Sequence, residues 1–240
     1  MNKTFFNLFL AVMTVTSCQY AFAENIKTLH TKDVLLGTLA VGCQPKGLKI
    51  TSKDDAWIAE MCGKFNPETN KREPSTSVVD INSEKLITTI RTPMGARTGI
   101  MGNTEVEFTE NEQYALIARA EGDGHSSVFP GYGMITVVNT ETLKTIKYIP
   151  VNGKGAKIIN RRPNLGDSSE IIYVANYFSD DISVLDTHGL SENGSMDGRS
   201  FYKGRIILKT SFGRPPHTKK IAPRGVGFIA GGKYALILAT

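Results

Sequence analysis

YVANYFSDDISVLDT, Tyr173 to Thr187, is two apolar alternating runs joined by a polar turn. Whether it is one hairpin or one copy of a repeated unit decides the fold, because only a repeat places several loops on a common face. Three other stretches carry the same apolar run after a polar turn: DDAWIAEM (Asp54–Met61), NEQYALIAR (Asn111–Arg119) and GGKYALILAT (Gly231–Thr240). Aligning Trp57, Leu116, Tyr173 and Leu236 gives spacings of 59, 57 and 63 residues, a period near 60. The following run recurs in phase as SVVDINS, TVVNTET and SVLDTHG, each ending its strand on Asp80, Asn139 or Asp186. Such a residue suits a turn because its short side chain bonds the backbone two residues on. A further strand follows each (KLITTIRT, TIKYIPV, RIILKTS), and Pro45-Lys46-Gly47 returns as Pro223-Arg224-Gly225.

Four short strands per period, rich in Val, Ile and Tyr and without helical periodicity, predict an all-β repeat protein. Radial packing of four-stranded antiparallel sheets is the natural arrangement for such a unit, so the expected fold is a β-propeller. We expect each period to supply an outer strand, then an inner, a middle and a further one. Counted from Leu35, about three and a half blades are present, and residues 35–240 form the repeat region, incomplete at its C-terminal side. Either further blades in a longer chain or a second chain, giving about seven blades, completes the ring, the first being the simpler expectation. The unpaired strand Tyr234–Ala239 is in either case a template for pairing with another chain.

The stretch Tyr173–Thr187, with IPVNG (Ile149–Gly153) before it and APRGVGFIAGGKYALI after it, resembles the YVTN-type β-propeller repeat. That repeat has IPVG, P-x-G, YVxN and VSVIDT elements. The resemblance spans about 35–240 and is strongest in the third repeat. Glu60, Arg119 and Ala239 stand where the motif has Asn, which removes any common role for that Asn. It implies an exported propeller used for surface or periplasmic binding. Related propellers carry lactonase, dehydrogenase or haem chemistry, but the motif brings no catalytic residue with it.

The N-terminus has one Lys ahead of an apolar run, Phe5–Val15, and Ala21 and Ala23 framing a cleavage before Glu24. Residues 1–23 therefore read as a secretory signal peptide, with 24–34 as a linker. The apolar run is far short of the ~20 residues of a membrane-spanning helix. Val15-Thr16-Ser17-Cys18 also resembles a lipobox, and the alternative is a lipoprotein signal ending before a lipidated Cys18. The expected location is periplasmic or secreted, the alternative an outer-membrane-anchored lipoprotein. Of three cysteines, Cys43 and Cys62 remain as a pair in the exported chain. A hairpin folded about Lys53/Asp54 brings them nearly opposite, which predicts a disulfide in an oxidising compartment.

The chain has 28 Lys and Arg against 23 Asp and Glu, a small surplus without a basic block. Nucleic-acid binding is therefore not expected, and an anionic partner is mildly favoured. In an antiparallel blade, the loop after the middle strand and the loop entering the inner strand share one face. The longest insertions fall there: Gly63–Thr76, Thr92–Thr104, Glu121–Gly133 and Arg214–Pro223. Long loops on a rigid scaffold are where binding residues concentrate. The candidate ligand-binding residues are Arg97, Arg119, Glu121, Asp123, His125, Tyr132 and His217. Glu121, Asp123 and His125 are the one tight ionisable group, yet such a Gly-rich loop also suits a solvated turn, and no metal or cofactor is expected. Lys46, Glu105, Ala156 and Arg224 are expected to start the inner strands toward the central channel. With no G-x-S-x-G, H-E-x-x-H or haem motif, the reading is an exported β-propeller binding protein. Its partner is a protein, glycan or small ligand met through one face. The alternative is a lactonase- or dehydrogenase-type enzyme with its site in the channel.

Overall fold

The computed structural model describes residues 40–68, 70–92, 102–120, 133–166, 169–188, 190, 201–208 and 221–239. Fourteen strands lie in these residues. The first sheet holds β1 (Cys43–Ile50), β2 (Asp55–Asn66), β3 (Lys71–Asp80) and β4 (Lys85–Arg91). The second holds β5 (Asn103–Phe108), β6 (Tyr114–Arg119), β7 (Met134–Asn139) and β8 (Thr145–Pro150). The third holds β9 (Ala156–Arg161), β10 (Ile171–Asn176), β11 (Asp181–Asp186) and β12 (Tyr202–Ile207). A two-stranded sheet of β13 (Pro223–Ile229) and β14 (Tyr234–Ala239) completes the set. Each sheet is an antiparallel meander in chain order. The fold is a partial β-propeller, three four-stranded blades and half of a fourth.

The expected strand cycle is offset by one from the sheets, the outer strand that opens a period being the last strand of the preceding sheet. Each four-stranded sheet begins at its inner strand and ends at its outer one, with consecutive strands adjacent and no crossover. The inner strands are recognisable from their contacts: β1 packs against β5, β5 against β9 and β9 against β13. At Gly47 a Cβ would lie 2.7 Å from the Glu105 Cα, so β1 approaches the backbone of β5 as only glycine allows. The next two joints are hydrogen-bonded: Thr104 Oγ1 donates to the Ala156 carbonyl (3.3 Å), and Asn160 Nδ2 to that of Val226 (2.8 Å).

The turns repeat with the strands. Thr51 and Thr109 end the inner strands, and their hydroxyls accept from the N–H of Asp55 (3.1 Å) and Tyr114 (3.0 Å). After the third strands, Asp80, Asn139 and Asp186 accept from the N–H two residues on, at 2.8, 3.0 and 3.1 Å, the turn chemistry expected from the sequence. Between blades both sheet faces are covered, which explains why YALIAR and MITVVN, the two middle strands of the second blade, are buried at every position. One cluster joins Trp57, Ala59 and Val78 of the first blade to Val106, Phe108 and Ile117 of the second. Another joins Leu116, Ala118 and Val137 to Ile159, Ile172 and Leu185.

Two expectations for the first blade are settled. Gly63–Thr76 is not a loop: β2 and β3 continue past a register shift between Glu60 and Lys64 as far as Asn66 and Lys71. The alternation needed for pairing resumes after the shift, so the insertion is mostly ladder. Cys43 and Cys62 are disulfide-bonded with Cα atoms 5.2 Å apart, Cys43 pairing with Gly63 across the β1–β2 hairpin. The bond closes a segment of sequence separation 19. Loop-closure entropy for about 20 residues amounts to about 3 kcal/mol. Urea unfolding with and without reductant is expected to differ by that amount, and the Cys43→Ser/Cys62→Ser variant should match the reduced protein and be insensitive to reductant. Among the described residues no helix is long and apolar enough to cross a membrane.

Candidate functional site at the axial mouth

The site is built by one irregularity repeated four times. Near the start of each inner strand the ladder skips a residue: register shifts fall between Pro45 and Gly47, between Asn103 and Glu105, opposite Ala175/Asn176 around Lys157, and between Pro223 and Gly225. A bulge leaves its extra residue unpaired and re-aims the side chain. Those extra residues are Lys46, Thr104, Lys157 and Arg224, so three of four carry a positive charge. Glu105 and Ala156, which the unbulged alignment puts in this set, are each displaced by one residue.

Three of these residues, Lys46, Thr104 and Lys157, line a cavity of about 220 Å³ together with Glu105, Met61, Ala120, Ile158, Tyr177 and Phe178. The aromatic pair comes from the turn after β10. Its backbone is held to the approach of β9 by bonds from Tyr177 N–H to the Gly155 carbonyl and from Phe178 N–H to that of Lys154, both 2.9 Å. Gly155 has φ of +71°, and a Cβ there would lie 2.3 Å from the Phe178 ring. Both facts require glycine. Lys157 Nζ stands 4.6 Å from the Tyr177 ring centroid and the Arg224 guanidinium carbon 5.1 Å, while Arg224 donates to the Tyr177 hydroxyl at 3.1 Å. Asp180, in the same turn, accepts from the N–H of Ile221 (3.0 Å) and Ala222 (2.9 Å) and so fixes the entry to β13 from which Arg224 projects.

The electrostatics follow from this crowding. Burial, then the charges of Arg224 and Lys46, hold the Lys157 ammonium below the usual lysine range, with Tyr177 opposing. Burial pushes the Glu105 carboxyl above the usual carboxylate range, opposed by the Val106 N–H and by Lys49. Lys49 itself is bonded to Glu107 at 3.1 Å one layer deeper, where Glu107 also accepts from the Arg161 N–H. The mouth thus holds Lys157 and Arg224 against one aromatic ring and Lys46 on the same cavity wall, with Glu107 paired to Lys49 below.

Because the folded pKa of Glu105 is raised, its ionisation opposes folding. The contribution it makes is complete below the ordinary value of 4.5 and is lost as pH rises through the folded pKa. Glu105→Gln should therefore melt with the parent at pH below 4 or so and increasingly above it toward neutral pH. Scanning calorimetry across that range checks this, and a Tm difference independent of pH would contradict it.

Of the residues singled out from the sequence, Arg119 lies at the end of β6 and is only 4 % exposed, inside its blade rather than on an open loop. Its charge is felt by the Tyr148 phenol on the same blade. Arg97, Glu121, Asp123, His125, Tyr132 and His217, and Cys18, lie outside the described residues. Among the described residues no three His, Cys, Asp or Glu side chains converge as metal ligands do. Lys157, Thr104, Tyr177 and Phe178 are additions. The repeated Pro-basic-Gly at 45–47 and 223–225 marked only Lys46 and Arg224, the bulge residues of β1 and β13, and no such triplet marks these four.

The Asn position of the repeat has a visible role. Asn176 is buried, and its Nδ2 donates to Asp181 Oδ1 (2.6 Å) and Ser183 Oγ (2.7 Å), tying the second strand to the third. Glu60 makes the corresponding tie by accepting from the hydroxyls of Ser75 and Ser77 and from the Gly42 N–H. At Glu60 the replacement thus preserves the tie with changed polarity.

No protein-family model matches the chain, and no curated protein does. Among solved structures it is similar to a functionally unknown protein from Desulfotomaculum acetoxidans, with TM-score 0.53 and 12 % identity over 81 % of this chain and 48 % of that one. A periplasmic gluconolactonase of Pseudomonas aeruginosa aligns with TM-score 0.46 and 12 % identity over 70 % of this chain and 40 % of that one. The chain spans less than half the length of either. At these identities the likeness bears on the fold alone.

Proposed function

We propose that this is an exported β-propeller of the YVTN repeat type that binds a small anionic ligand at the axial mouth of its insertion-bearing face. The observation that carries the reading is the convergence of three inner-strand bulge residues: Lys46 and Lys157 line one cavity with Tyr177, and Arg224 meets the same tyrosine at its ring and hydroxyl. Mutual repulsion makes such a cluster costly without an anion, and an anion relieves it. A carboxylate suits the guanidinium fork of Arg224, and the Tyr177 and Phe178 rings suit the carbon skeleton behind it. Export is supported by the signal-like leader and by the disulfide between Cys43 and Cys62.

Isothermal titration of the processed protein with citrate and gluconate, and with glucose as the uncharged control, tests it. Binding of a carboxylate that weakens with salt and is absent for glucose is expected. Equal heats for all three, or none, would overturn the reading.

A second reading rests on Glu105: a carboxyl with a raised pKa at the wall of a largely apolar cavity is equipped for general acid–base work. On that reading the protein is a channel-site hydrolase of the lactonase kind. Turnover of an aldonolactone that is lost in Glu105→Gln would favour it over simple binding.

A further inference from the structure

The face opposite the mouth carries the turns that join first strands to second and third strands to fourth. Between the first two blades these turns wall a cavity of about 390 Å³, a size usual for small-molecule sites. The first blade contributes Ser52, Asp55 at the start of β2, and Ile87 of β4. The second contributes Glu112 and Gln113 before β6, with Thr140, Glu141 and Leu143 after β7. Trp57 also lines the cavity although it is only 1 % exposed, so it stands at the floor.

The walls are tied to each other. Ser52 donates from its backbone N–H (2.9 Å) and its hydroxyl (2.6 Å) to the Glu112 carboxylate, and Thr140 Oγ1 donates to the Glu112 carbonyl (2.7 Å). The lining is therefore held in one arrangement and lies wholly within two adjacent blades.

Polar groups of both kinds remain unmet in it. A buried indole N–H normally finds an acceptor, yet among the described residues none accepts from Trp57. The Gln113 amide nitrogen likewise has no acceptor there, its oxygen being taken by Asn111 Nδ2 at 3.3 Å. On the other side, no described group donates to the carboxylates of Asp55 and Glu141.

This combination discriminates between ligands. A carboxylate or phosphate satisfies the indole N–H but faces Asp55, Glu112 and Glu141, with Lys53 the one cation among the described lining residues. An amine suits the carboxylates and leaves both N–H donors unmet. A hydroxyl donates and accepts, so a neutral polyol meets both sets, and Ile87 and Leu143 offer apolar surface to the C–H face of a sugar ring. The lining is spread over three turns and a strand, a reach suited to two linked rings.

We propose that this cavity binds a neutral disaccharide unit of a glycan. Trp57 and Gln113 donate to its oxygens, and Asp55 and Glu141 accept from its hydroxyls. The site is separate from the cationic mouth on the opposite face and stands or falls without it.

Trp57 is the only tryptophan of the chain, so its fluorescence reports on the cavity directly. Titrating the processed protein with maltose, cellobiose and lactose should give a saturable change in emission with at least one of them. The change should be insensitive to salt and absent with glucose, which reaches one wall only. Gln113→Ala and Glu141→Ala, both at exposed positions, should each raise the Kd for that sugar about tenfold. Their circular dichroism and their binding of citrate should stay as in the parent. The Lys157→Ala/Arg224→Ala variant should keep the full fluorescence response. No response to any of the three disaccharides in the parent would overturn the proposal, as would a response that survives both substitutions together or one lost in the Lys157→Ala/Arg224→Ala variant. A response to putrescine in place of the sugars would reveal a cation site, which also overturns it.

Discussion

Replacing Lys157 and Arg224 together by alanine is expected to weaken binding of a carboxylate ligand about 100-fold. A charge-assisted hydrogen bond contributes about 1.5–3 kcal/mol when its charge is retained in the complex. Arg224 is exposed, so solvent screening places its share at or below the low end of that range. Two such losses come to about 2.7 kcal/mol, which is the stated factor. The same double variant should leave stability unchanged or improved, since it removes the part-buried Lys157 ammonium, held below its usual pKa first by burial, together with the neighbouring Arg224 charge that repels it. Opposite signs for binding and stability distinguish a ligand site from a structural cluster. A variant that loses both in parallel, or that binds citrate as the parent does, is incompatible with the proposed site. The single Lys46→Ala variant should fall between parent and double variant.

Trp57→Ala is expected to cost about 3–5 kcal/mol, the range for a large aromatic removed from a packed core. Trp57 is 1 % exposed and is the edge partner of Phe108 across the first blade joint. Its loss leaves a void that rigid antiparallel sheets on either side do not collapse to fill. For a repeat region of about 200 residues this is a fall in Tm of about 6–20 °C. Because repeats are stabilised by their neighbours, the loss should spread to the second blade. Hydrogen exchange is expected to quicken in β5 and β6 as well as β2, while β10 and β11 are little affected. A cost under about 1 kcal/mol, or exchange confined to β2, would remove Trp57 from its place as a joint residue. Trp57→Phe, which keeps an aromatic edge contact, should recover part of the stability.

The joint residues were legible as a set before any coordinates, because each lies at a fixed place in the period. Aligning Trp57 with Leu116 and Tyr173 identifies the second strand of each blade, and Asp80, Asn139 and Asp186 mark the turns. The site was legible only in part. Lys46 and Arg224 stand out from the repeated Pro-basic-Gly, but Lys157 sits in GAKII, where nothing marks it. Alternation alone assigns Glu105 and Ala156 to the same position, and the bulge moves that position to Thr104 and Lys157. A one-residue shift reverses which face a strand residue takes, and a bulge is a property of the pairing, not of one strand. Lys147 shows the same limit: its period-2 position in TIKYIPV says nothing of exposure, yet it is 1 % exposed with its Nζ 4.7 Å from the Phe201 ring centroid of the next blade.

By itself, the order of residues determined the strands, their turns, the disulfide partners and the arrangement into blades. The strands, turns and disulfide depend on alternation and turn chemistry within some twenty residues of chain, and the blades on the period near 60 residues. The meeting of Lys46, Lys157 and Arg224 was decided only by the tertiary structure, since they are brought together from three periods by the curvature of stacked sheets. So was the cavity over Trp57, because the turns that wall it come from two blades.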